Sequence, residues 1–352
     1  MFASSLWLAL LGTGFYYFLE YRDWLDWNVK VIYKVQPGPC RYALEGGGSE
    51  DVIHIGGGII MISAGFEFGA KTGKIKSLNL NTSEVITMNI RNEPNREEFL
   101  AGIHGITYWR DPKSGKMYLY TLTHPSKEDR VEVFEMTSTT ELTYIRTISD
   151  PLFTFMNNLV AVGKDKFYIT KFWQSRDTYM EYAEMMLRMK TGGVLYFDGK
   201  KARQVVGDLE MPNGINISPD GQTVYVAEFN TKKLLGYSRD NTNNLHKSWE
   251  VYANTMLDNI DVDSSTGDLY IASHPIAYKI TDSVLNFFGF AFPSQVLRFK
   301  MRDNMVSEIE EMYSDDGSEL VASTAATYAN GKLVIGTVRD QLMVCDVNYL
   351  SG

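Results

Sequence analysis

The chain of 352 residues carries a formal net charge of −9, with 44% hydrophobic and 22% charged residues, a composition able to bury a large core. The acidic balance, and the lack of any basic run interleaved with aromatics, exclude a nucleic-acid partner and fit a soluble ectodomain or a cation-binding protein.

In chain order the first element is FASSLWLALLGTGFYYFL, Phe2 to Leu19, which has no charge and lies in length between a signal-peptide core and a membrane span. Residues 1–20 are read as a hydrophobic signal or anchor helix, and residues 21–352 as one folded domain. No small-x-small cleavage pattern follows the segment, so it is expected to stay as an anchor at a membrane or lipoprotein surface. Orientation signals conflict. Arg22, Lys30 and Lys34 favour the cytoplasm, whereas the sequon Asn81-Thr82-Ser83 and a prospective disulfide favour a lumenal or extracellular domain. Acidic residues among the basic ones blur the first signal. The secretory pathway is therefore expected, with the domain anchored or secreted and Asn81 glycosylated. A second sequon, Asn216-Ile217-Ser218, falls in a predicted strand and is expected to remain unmodified.

The domain itself is a repeat. MPNGINISPDGQTVYVAE, from Met211 to Glu228, reads as a polar opening, an alternating strand, a Ser-Pro-Asp-Gly turn and a second strand. The same grammar recurs at Ser49, Gly102, Met156, Leu257 and Thr324, at spacings of roughly 45 to 66 residues that suit propeller blades. A third strand follows each hairpin, starting at Ile75, Val131, Gly193, Leu234, Gln295 and Leu342. The fold class is all-β: a six-bladed β-propeller with an N-terminal hydrophobic helix and helical insertions. Two insertions break the rhythm. Residues 176–190 have Met and Tyr at helical spacing, and residues 277–293 form an apolar loop or short helix. Each is expected either to pack over the propeller face or to touch a membrane or hydrophobic substrate.

A ring needs closing, and the segment Val31 to Leu44 can supply an outer strand beside Gln341 to Val347. Cys40 and Cys345 fall in these two segments. A bridge between them would close a loop of about 305 residues, for which chain entropy sets an upper limit on the order of 5 to 6 kcal/mol. The alternative is two buried free thiols.

Aligning the repeats puts Glu50-Asp51, His104-Gly105, Asn157-Asn158, Asn213-Gly214, Asp258-Asn259 and Thr324-Ala325 at one position, the entrance of each inner strand. Such positions face one another across the channel. Glu50, Asn157, Asn213, Asp258 and Asn259 bring carboxylate and amide oxygens to one axis, a hard-oxygen set suited to calcium. Asp51 and Asn158 alternate to the other side of their strands and could hold a second ion deeper in the channel, with a backbone carbonyl near Ile106. The set lacks the Cys and the two or three His of a zinc site. His104 shares the column and His124 ends the hairpin partner in the same blade. Either is a structural histidine or a general base acting on water beside a metal-polarised carbonyl. His274 is expected near the same face; His54 and His246 carry no such argument.

The residues GSEDV at Gly48, HGI at His104, NGINISPDG with VYVAE at Asn213, LDNIDVD with TGDLYIASHP at Leu257, GKLVIGTV at Gly331 and the two terminal cysteines resemble the paraoxonase/arylesterase family. The resemblance spans about Val31 to Val347. It implies a Cys40–Cys345 disulfide, a retained hydrophobic N-terminus, two axial calcium ions and hydrolysis of small-molecule lactones and aryl esters. By the same resemblance Glu50, Asn157, Asn213, Asp258 and Asn259 carry the catalytic calcium, Asp51, Asn158 and the Ile106 carbonyl the structural one, and His104 with His124 the proton transfer. Three departures stand out. Asn158 replaces an aspartate, leaving the second site one charge short; Ser273 replaces a third cysteine; and the insertion from Arg176 is unlike the family's aromatic helix. Some membrane-bound nematode relatives look like ion-channel chaperones, so the alternative is a non-catalytic, membrane-anchored chaperone or scaffold for a membrane protein such as a channel.

Overall fold

A computed structural model of the chain describes residues 2–28, 31–66, 70–96, 98–126, 128–281, 291–338 and 341–348, without the side chains of residues 2–10 and 45. Six sheets of antiparallel strands follow one another along the chain. Blade I uses Asp51–His54, Ile59–Ala64, Lys74–Asn79 and Glu84–Thr87, and blade II uses Ile106–Arg110, Met117–Thr123, Arg130–Met136 and Glu141–Ile148. A short strand, Asn89–Arg91, adds in parallel to the edge of blade II. Blade III is built from Met156–Gly163, Lys166–Lys171, Gly192–Phe197 and Ala202–Leu209, and blade IV from Pro212–Ile217, Thr223–Glu228, Lys233–Arg239 and Leu245–Tyr252. Met256–Val262, Leu269–His274, Ser294–Arg302 and Met305–Asp315 make blade V. Blade VI combines Ser323–Ala329, Lys332–Thr337 and Gln341–Asp346 with Cys40–Glu45 from the other end of the chain. The innermost strands touch in cyclic order, blade VI returning to blade I.

Strand alternation explains what holds the ring. One face of each blade packs against the next blade, giving six apolar layers such as Ile53, Met61, Leu119 and Phe134 between blades I and II, or Tyr225, Leu234, Ile271 and Phe299 between blades IV and V. The inner strands approach so closely that their glycines are obligatory. A Cβ at Gly105 would lie 2.8 Å from the Asn158 Cα, and one at Gly214 would lie 2.5 Å from the Asp258 carbonyl oxygen. That is the physical content of the HGI and NGI motifs.

The closure is the expected one. Cys40 and Cys345 face each other in register and are joined by a disulfide, their Cα atoms 4.0 Å apart, just under the usual span of about 4.4 to 6.8 Å. Only the second half of the expected outer segment serves as that strand, because Val35 instead pairs with Ser314 of blade V.

A roof covers one face. Helix α1 spans Phe2–Trp24, α2 spans Thr178–Met186 with Asp177 as its N-cap, and α3 spans Ala277–Thr281. The segment expected as an anchor thus runs on, as helix, into the roof. The side chains of residues 2–10 lie outside the described residues, and Leu11, Phe15, Tyr16, Tyr17 and Phe18 are exposed. Among the described residues no helix is long and apolar enough to cross a membrane. Of the 277–293 insertion, residues 282–290 lie outside the described residues.

The end of α1 is fastened down. Trp24 is buried with Met185, Met211 and Phe229, and its Nε1 donates to the Asn230 carbonyl at 2.8 Å. Asp26 accepts from Lys232 Nζ at 2.6 Å and from the Ala277 amide at 2.9 Å, and the lysine is 1% exposed. Breaking a buried pair strands the remaining charge, so Asp26→Ala is expected to lower stability to chemical denaturation by about 3 to 5 kcal/mol. Lys232→Met in the same chain should recover much of that loss.

Candidate functional site

Under the roof a cavity of about 770 Å³ opens onto the entrances of the inner strands. Its floor is polar. Glu50, Asn157, Asn213 and Asp258, from the entrances of blades I, III, IV and V, are all at least nine-tenths buried. Each leaves one acceptor without a hydrogen-bond partner: Glu50 Oε2, Asn157 Oδ1, Asn213 Oδ1 and Asp258 Oδ1. One buried orphan acceptor costs about 1 to 3 kcal/mol. Four in one cavity, from four separate strands, have the chemistry of a ligand set for a hard cation. Burial, and then the neighbouring Asp258 carboxylate, push the Glu50 carboxyl well above its usual range, and a cation between the two carboxylates would favour their ionised forms. Among the described residues no three His, Cys, Asp or Glu side chains converge as a metal set; the donors here are two carboxylates and neutral amides.

The remaining expected residues lie directly behind this floor. Asn259 Nδ2 donates to Glu50 Oε1 at 2.9 Å and to the Glu50 carbonyl at 3.2 Å. Asp51 and Asn158, one residue further along their strands, meet each other at 3.2 Å. Burial, and then Glu50, push the Asp51 carboxyl up to about 8. At Ile106 the amide N–H donates to Asp51 Oδ2 at 2.9 Å.

The two histidines form one line. Asp129 Oδ1 accepts from His124 Nδ1 at 2.8 Å; His124 Nε2 lies 2.9 Å from His104 Nδ1; and His104 Nε2 lies 3.2 Å from Glu50 Oε1. Asp129 has no exposure and is also bound by Arg176 at 2.5 Å and by the Met156 amide at 2.8 Å. Burial pushes Asp129 up, but His124, Arg176 and that amide outweigh it and hold the carboxyl below its usual range. An ionised Asp129 fixes the proton on His124 Nδ1. His124 Nε2 is then an acceptor for His104 Nδ1–H, and the lone pair of His104 Nε2 faces the cavity. Burial pushes His104 down to about 4, so the ring is neutral at pH 7 and able to accept a proton.

Asp129 and Arg176 are functional candidates that sequence patterns do not reveal. Asp129 is buried among charged sequence neighbours just before the third strand of blade II, and Arg176 enters on the insertion before α2. His274 does belong to the face: its Nε2 is 2.9 Å from Asp258 Oδ2, orienting that carboxylate so that Oδ1 is the orphaned oxygen. Phe66, Phe155, Phe172, Trp173, Phe229 and Met211 make the apolar part of the wall, beside charged residues such as Arg176 and Glu181. Phe66 lies against the His104 ring, centroids 4.3 Å apart.

Fold and site together define a six-bladed propeller with an axial constellation of oxygens and histidines under a helical roof. The chain belongs to the arylesterase family, whose profile matches residues 39–347. It is 31% identical over 370 aligned positions to human serum paraoxonase/arylesterase 1, covering 98% of this chain and all of that protein. It is 28% identical to human serum paraoxonase/lactonase 3, covering 97% and 98% of the two chains. Among solved structures a luciferin-regenerating enzyme has the same fold, with a TM-score of 0.57 at 8% identity over 88% of this chain and 95% of that one.

Proposed function

We propose that the protein is a calcium-dependent hydrolase of lactones and aryl esters that works at the mouth of its axial channel. The observation that carries this reading is the set of four orphaned oxygens on the cavity floor beside a neutral, oriented histidine; family membership supports the substrate class. Glu50, Asn157, Asn213 and Asp258 would hold the ion, with Asn259 bracing Glu50 from behind. A calcium ion held there would supply Lewis-acid polarisation of an ester carbonyl and offset the charge developing on its oxygen. His104 Nε2 takes a proton from the attacking water, and the His124–Asp129 pair holds the ring in the tautomer that leaves this atom basic. The aromatic walls receive the apolar part of the substrate and keep bulk water from the floor.

The setting follows in the same terms. The disulfide supports an oxidising, secretory compartment. Asn81 sits exposed in the turn between the third and fourth strands of blade I, away from the mouth, where a glycan would not obstruct it. Exposed Phe15 and Phe18 on α1, with Tyr179 and Leu187 at α2, support contact between the roof and a membrane or lipoprotein surface. A panel of lactones and aryl esters offered to the purified full chain tests the reading. Hydrolysis of any of them is expected. Inactivity across the panel, with a channel subunit co-purifying, would favour the non-catalytic chaperone.

A further inference from the structure

The lower pair in the channel differs from the mouth above it in having no oxygen to spare. Asp51 and Asn158 hold equivalent positions in the inner strands of blades I and III, and each turns one side-chain oxygen back to the next backbone N–H. Val52 N donates to Asp51 Oδ1 at 2.9 Å, and Leu159 N donates to Asn158 Oδ1 at 2.6 Å. That leaves Asp51 aiming Oδ2 across the channel and Asn158 aiming its NH2 group. They meet at 3.2 Å, and Asp51 Oδ2 also accepts from Ile106 N. The second amide proton of Asn158 goes to Asn259 Oδ1, and Asn259 Nδ2 continues to Glu50. Reversing the Asn158 amide would set its NH2 against the Leu159 N–H and lose both outer bonds, so the network itself fixes the orientation.

We propose that this chain holds one axial calcium ion, at the mouth, and that the Asn158 amide occupies the role of a second cation between Asp51 and Asn259. The proposal rests on the reading of the mouth as the upper ion site. A hard cation needs oxygen lone pairs. Here it would meet N–H protons on one side and, on the other, a carboxylate whose two oxygens already accept three hydrogen bonds. An aspartate at position 158 would keep the bond from Leu159 N and present an oxygen instead of the NH2. Two buried carboxylates would then face each other, an arrangement that a cation resolves. With asparagine the ties from Asp51 through Asn158 and Asn259 to Glu50 link blades I, III and V by hydrogen bonds alone.

Calcium bound per chain, measured by equilibrium dialysis of the full-length protein in detergent, decides the matter. The parent is expected to bind one ion and Asn158→Asp two. Two ions in the parent, or no gain in Asn158→Asp, overturn the proposal. Should Asn158→Asp fail to fold, Asp51→Asn serves in its place: an unchanged count supports the proposal and the loss of an ion overturns it. A parent that binds none would instead overturn the reading of the mouth, and a gain of one by Asn158→Asp would still uphold the claim about the lower pair.

Discussion

Asp258→Ala is expected to abolish turnover and calcium binding together. The substitution removes one of two carboxylates that balance a doubly charged ion, leaving Glu50 with the amides of Asn157 and Asn213 around a cation they cannot neutralise. It also frees His274, whose Nε2 is bonded to Asp258. His274→Gln therefore provides the control: a glutamine can still donate to Asp258 Oδ2, and the ion should stay. Loss of hydrolysis beyond detection, with the calcium count falling by one, is the expected pair of readings for Asp258→Ala. Full activity in that variant would remove the mouth as the site of chemistry.

His104→Gln separates the ion from the proton transfer. Glutamine can satisfy the neighbours of His104 but cannot act as a base, so the ion should remain while kcat falls by roughly 10² to 10⁴, the usual range for general base catalysis. The orientation of the ring makes this specific to one atom. Nδ1 is committed to His124 at 2.9 Å, and only Nε2 faces the floor. Unchanged hydrolysis of every lactone in the panel, with the ion present, would show that water is activated by some other group.

Much of this arrangement is legible in the sequence because propellers repeat. The entrance of every inner strand falls at one alignment position, so the repeat alone places Glu50, His104, Asn157, Asn213 and Asp258 on one axis, and they do line one cavity. Strand alternation likewise puts Asp51 and Asn158 one layer deeper, where they meet. The closing disulfide follows from there being two cysteines at the two ends of a ring.

What escapes the sequence is whatever depends on turns and on the roof. Asp129 is one acid among charged sequence neighbours, and nothing local says that it folds under His124 while Asp111 stays at the surface bonding its own loop. Lys232 and Asp26 are separated by 206 residues and look like two ordinary surface charges. Only packing of α1 against blade IV brings them together. At Ile106, strand alternation gives the layer of the residue but not which of its backbone groups turns towards a neighbour; its N–H is the group bonded to Asp51.

The most direct test of a calcium-dependent hydrolase at this mouth is removal and return of the ion in one sample. Hydrolysis of a responsive lactone or aryl ester would be followed while a calcium chelator strips the protein and calcium is then restored, with bound calcium counted at each stage. The expected result is a rate that falls with the ion and recovers as about one ion per chain returns. Hydrolysis that continues at its full rate after the last bound calcium has been removed would contradict the assignment.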